Sequence, residues 1–272
     1  MRTLMHSVGW TIACLAVGLA ALPSLADDSK PKAEAKPAVS ASPNVSVVPG
    51  AETFLIVPLR VHLLKSDTLD EVDCALTDDD VRRIVGKVNQ VWSQAGIHFG
   101  LESIRREPAA DQAKFKLARD LEKAAPLGLF RALIPKDSLT FDGQHVYYIH
   151  RFSVNGVYLG KNTSFVQETA KLRPVPGGID EPLPRVTAHE LGHALSLPHR
   201  QDRTNLLASG TTGTLLNQSE VDQVRAAARK LTGTLSMPDA RASVKPDDQA
   251  GEEQRARRKR WIAEIEALAK TK

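Results

Sequence analysis

Residues Thr187–His199 read T-A-H-E-L-G-H-A-L-S-L-P-H and place three histidines and a carboxylate within one short span. On a helix His189 and His193 project only ~40° apart, one turn above the other, where two imidazoles can grip one metal ion. Glu190 lies about 100° round from His189, poorly placed as a ligand of that pair and well placed to take a proton from a water held by the metal. In a continued helix His199 would sit ~15 Å along the axis from His189, whereas zinc–nitrogen bonds are about 2 Å. The helix must therefore stop first. Pro198 disfavours helical geometry at Leu197, so the spacing predicts a helix end near Leu195 or Ser196, with His199 returning from a loop. Three histidines leave a coordination position open, unlike structural zinc sites that close with four protein ligands.

These residues resemble the metzincin zinc endopeptidases, whose motif is H-E-x-x-H-x-x-G-x-x-H. His189, Glu190, His193 and His199 match it in type and spacing. Ser196 stands where the motif has glycine, at a left-handed turn that costs a residue with a Cβ roughly 1–2 kcal/mol. The following R-T-N-L-L-A-S-G, Arg203–Gly210, resembles the methionine turn of that family with Leu207 in the methionine position. That exchange keeps volume and costs less than about 1.5 kcal/mol. Met237, the sole methionine downstream, lies beyond a helix expected at 217–231 and too far along the chain to serve. No tyrosine follows Leu207, so the extra tyrosine of some relatives has no counterpart there. The resemblance is tight over 187–210 and loose over 53–231. It implies one catalytic Zn2+ held by His189, His193 and His199, Glu190 as general base, a protein or peptide substrate, and an α+β zincin-like fold. It also implies an edge strand that pairs with the extended substrate, a place filled here by Asn155–Phe165. A downstream glutamate is the third ligand in other zinc peptidases, which makes Glu220 the competing candidate; the full motif favours His199.

Met1–Ala26 carries an early Arg2, an apolar run from Val8 to Leu22 and the small residues Ser24 and Ala26, the pattern of a secretory signal peptide. The run is too short, and too soon followed by Asp27 and Asp28, for a spanning helix. Export would place the chain outside the cytoplasm, secreted or periplasmic, and would remove Cys14. Cys74 then has no disulfide partner and reads as a small buried hydrophobe; a latency role as a zinc-capping thiolate lacks the surrounding motif. Residues 27–51 are rich in Pro, Ala, Ser and Lys without apolar periodicity, a flexible linker.

From Thr53 the chain predicts a strand that alternates from Val57 onward, then a helix capped by Thr77 with apolar residues from Val81 to Trp92, ending at Gly96. A second strand covers 97–104, a polar helix 109–123, a short apolar piece 127–134, and strands 145–152 and 156–166. The order suggests a mixed, twisted sheet with packed helices over 52–237, long enough for one sizeable core. Asn217 opens a helix with Glu220 in capping-box position. Residues 238–272 read as a charged tail with a solvated helix. Scattered His62, His98, His145 and His150 lack ligand spacing and receive no role.

The formal net charge is only +4, and acidic residues flank the basic cluster R-A-R-R-K-R, so nucleic acid is not an expected partner. Two function classes follow: a secreted zinc endopeptidase, or a secreted binding module that keeps a zincin fold without turnover. An intact Glu190 favours the first.

Overall fold

The chain's structure, a computed structural model, describes residues 48–121, 127–139, 142–175, 179–210, 213–245 and 251–270. The expected signal peptide and most of the linker lie outside these residues.

Leu55–Lys65 (β1) is buried along nearly its whole length, as a strand covered by helices on both sides must be. It lies parallel to Ile97–Pro108 (β2) on one side and to Gln144–Ile149 (β3) on the other. Pro58, which cannot donate to a ladder, is accommodated because the second neighbour changes there. Leu235–Ser236 (β6) pairs with Leu55 and Ile56, whereas β3 pairs from Leu59 onward. Thr163–Gln167 (β5) continues the sheet parallel to β3, and Gly156–Gly160 (β4) closes it antiparallel to β5. The order β2-β1-β3-β5-β4 leaves β2 and β4 at the two ends. The sheet is mixed, in an α+β domain, as the sequence implied.

Helix Asp78–Trp92 (α1) begins in a capping box in which the Thr77 hydroxyl accepts from the Asp80 amide and the Asp80 carboxylate accepts from that of Thr77. Its apolar stripe, Val81 to Trp92, packs on one sheet face together with Pro182–Ala194 (α4) and Gln218–Lys230 (α5). The opposite face carries Gln112–Leu121 (α2) and Leu127–Leu133 (α3), around Phe115, Phe130 and Phe165. The apolar piece at 127–134 is thus a helix.

Two further expectations are corrected. Residues 156–166 are not one strand but a hairpin, turned at Lys161 and Asn162 with φ of 50° and 57°. The two positive φ values suit the right-handed twist of paired strands. The C-terminal helix is not simply solvated. Met237–Ala242 (α6) and Glu252–Lys270 (α7) bury Met237, Ala240, Trp261 and Ile265 against Phe54 and Ile56. A Cβ on Gly100 would come within 2.8 Å of the Trp261 ring, so glycine lets that helix settle on the sheet. Arg257 and Arg260 donate to the carbonyl oxygens of Glu102 and Leu101 at 3.3 and 3.5 Å, covering acceptors of edge strand β2. Part of the basic cluster is thereby occupied within the molecule. No described helix is long and apolar enough to cross a membrane.

Candidate metal centre

Helix α4 enters with Pro182 in its first turn and buries every residue from Leu183 to Gly192, including His189 and Glu190. It ends where expected. The Leu197 amide donates to the carbonyl of Gly192 and the Ser196 amide to that of His193, at 3.0 and 2.9 Å, with Ser196 at φ 70°. This is a Schellman closure with serine in the left-handed place, and it turns the chain so that His199 comes back to the helix. Gln223 on α5 holds the same turn by donating to the Ser196 carbonyl at 2.6 Å.

The Nε2 atom of His193 lies 3.1 Å from that of His189 and 3.1 Å from that of His199. The Nδ1 atoms of His189 and His193 face the carbonyl oxygens of Leu206 and Leu197, each at 2.8 Å. A carbonyl only accepts, so both Nδ1 atoms carry the proton and both Nε2 atoms present bare lone pairs to each other. Two lone pairs at 3.1 Å repel unless a cation lies between them. Nitrogens around a tetrahedral zinc at 2.0–2.1 Å stand ~3.3 Å apart, close to the spacing seen. The carbonyl acceptors also fix the tautomer and ring orientation, the usual outer-shell arrangement of metal-bound histidine. The three histidines fit one metal ion and form the sole such group of three among the described residues.

Burial pushes His189 down to about 4, helped by the neighbouring His193, and lowers His193 as well. Both are neutral, and so able to ligate, at ordinary pH. Burial pushes the Glu190 carboxyl up to about 8, opposed by a hydrogen bond from the Tyr158 backbone. Glu190 lines a cleft of about 490 Å³ together with His193, His199, Gly156 and Tyr158. Edge strand β4 crosses so closely that a Cβ on Gly156 would lie 2.7 Å from Glu190 Oε1. Sequence reasoning missed both β4 residues, although a glycine two residues before an exposed-edge tyrosine was there to be read.

The turn after the helix supports the centre from beneath. Leu207 is fully buried, and the Leu207 amide donates to Asn205 Oδ1 at 2.8 Å. Glu220 is fully buried too, and its carboxylate accepts from Arg200 Nε, Asn205 Nδ2 and the Asn217 amide at 2.7, 2.8 and 2.9 Å. Its oxygens are committed to the turn and the α5 cap. Met237 belongs to the separate cluster under α7, and Cys74 donates to Glu168 Oε2 at 3.2 Å. Of the remaining described histidines, His62 lies 2.8 Å from Glu107, His150 2.5 Å from Glu168 and His98 3.1 Å from Glu264, while His145 Nδ1 lies 3.0 Å from His62 Nε2.

No protein-family profile matches the chain. It is similar to interstitial collagenase B of Mus musculus, 31% identical over 108 residues, a stretch of 38% of this chain and only 22% of that relative. Among solved structures, archaemetzincin from Methanopyrus kandleri aligns with a TM-score of 0.40 at 16% identity, covering 68% of this chain and all of that one. Mirolysin in complex with a compound aligns at 0.41 and 11%, covering 78% of this chain and 98% of that one. Over part of its length the chain is thus similar to a collagenase, and it carries a three-histidine group that could hold a metal ion.

Proposed function

We propose that this chain is a secreted zinc-dependent endopeptidase, with His189, His193 and His199 as ligands of one Zn2+ and Glu190 as general base. The observation that carries this reading is the pair of facing Nε2 lone pairs of His189 and His193, held there by Nδ1 donors, with a buried carboxylate in the adjoining cleft. Bound zinc would polarise the substrate carbonyl and acidify water. The chain's own residues do the rest. Burial holds Glu190 toward its neutral form, and a dication at the three histidines would favour its carboxylate. Glu190 then takes a proton from the attacking water and returns it to the departing amine nitrogen. Gly156 lets β4 lie over the cleft, where an extended peptide backbone can add to the open edge. Secretion rests on the signal-like Met1–Ala26, with a mature start near Asp27 to be read by N-terminal sequencing.

Metal analysis and a broad peptide-library assay on wild type and Glu190→Gln test the reading together. One zinc per chain in both proteins is expected, with chelator-sensitive cleavage lost by 10⁴-fold or more in the variant, since one residue serves as base and acid. A fully zinc-loaded wild type that cleaves nothing makes the non-catalytic binding module the better account.

A further inference from the structure

The chain has three tyrosines, and the structure treats them differently. Tyr147 is buried with its hydroxyl 2.5 Å from Ser138 Oγ, and Tyr148 is buried with its hydroxyl 2.8 Å from Thr187 Oγ1. Tyr158 is half-buried, lines the cleft with Glu190, His193 and His199, and its hydroxyl makes no hydrogen bond among the described residues. Strand geometry directs it there. Leu159 and, in part, Val157 pack into the cluster on the far face of the sheet, so Gly156 and Tyr158 take the face of α4. A side chain at 156 would already touch Glu190, and Tyr158 stands about 6.6 Å further along the same face. Among the described residues that line the cleft, Tyr158 and Ser196 are the hydroxyl side chains. Ser196 is fixed in the left-handed turn that returns His199.

We infer that Tyr158 is a catalytic residue whose phenol O–H donates to the oxygen of the scissile carbonyl as that oxygen becomes negative. This rests on the peptidase reading given above. As the water oxygen bonds to the carbonyl carbon, Glu190 takes one water proton and the carbonyl π pair moves onto the oxygen, where the phenol meets it. When the carbonyl re-forms, the C–N bond breaks and the nitrogen takes the proton from Glu190. The phenol keeps its own proton throughout, and the sum is amide plus water to acid plus amine. A donor aimed where charge develops acts on the transition state more than on the bound substrate.

The test uses the full zinc-loaded chain, a library peptide that it cleaves and a phosphinic analogue of that peptide. Tyr158→Phe is expected to lower kcat by 10²- to 10³-fold with KM, zinc content and thermal unfolding unchanged. The same variant should bind the tetrahedral phosphinic analogue less tightly by a matching factor, while the uncleaved amide bound to a Glu190→Gln background keeps its affinity. Unchanged kcat, a change confined to KM, or a loss seen in Ser196→Gly and not in Tyr158→Phe would overturn the assignment. A wild type that neither cleaves peptides nor binds the phosphinic analogue sinks the peptidase reading and this one together; a wild type that does both, matched by Tyr158→Phe, sinks this one alone.

Discussion

Leu207 lies against Gly192 on α4, near enough that a Cβ on that glycine would come within 3.0 Å of Leu207 Cδ2. The leucine thus supports the backbone turn between His189 and His193 from below. Leu207→Met should cost less than about 1.5 kcal/mol and keep zinc. Leu207→Ala should cost roughly 2–5 kcal/mol and weaken zinc retention, since a cavity opens under the ligands. Denaturant unfolding with metal analysis checks both; equal zinc affinity in the alanine variant would deny the support role.

Ser196 holds a left-handed backbone at φ 70° that glycine adopts without a Cβ penalty. Ser196→Gly should raise stability by about 1 kcal/mol, or ~2–4 °C in a domain of this size. A lower melting temperature would mean that the hydroxyl contributes more than the strain costs.

Glu220→Gln should keep one zinc per chain yet destabilise by roughly 1–3 kcal/mol, because Arg200, Asn205 and the Asn217 amide all bond to its carboxylate. Zinc lost on this change with the fold intact would point back to a downstream-glutamate ligand.

Burial holds His62 at about 4 against the opposing pull of Glu107. Below pH 6.5 the unfolded chain takes up a proton that the folded chain refuses until about pH 4. Stability is therefore full above 6.5 and falls through that window, by on the order of 3 kcal/mol from this one group. Unfolding of the metal-free chain from pH 7 to 4 should show a shallower fall in His62→Gln; identical slopes would contradict this.

Trp261 is 3% exposed and sits over Gly100. Trp261→Ala should cost roughly 3–5 kcal/mol, measurable by thermal unfolding. A cost near zero would restore the solvated-tail reading.

What the sequence made legible was local. The ligand spacing, the stop before Pro198, the turn at Ser196 and the boxes at Thr77 and Asn217 each depend on residues within a few positions of one another. The hairpin was hidden because Val157–Leu159 and Phe165–Val166 both read as strand, and Lys161–Asn162 between them is a weak turn signal beside Asn-Gly. The docking of α7 was hidden because Trp261 and Ile265 are two apolar residues in a charged helix, and their partner glycine lies at position 100. Tyr158 was overlooked because a tyrosine was sought after Leu207, whereas the sheet supplies one from before the helix.

The arginines of α7 on β2 make the two ends of the sheet unequal. One border is roofed by helix α7, whereas β4, beside Glu190, forms the other. Shortening the chain before Glu252 would strip that roof and leave backbone acceptors of β2 open to pairing with another copy. Helix α7 thus guards β2 against self-assembly and leaves β4 as the uncovered border among the described strands.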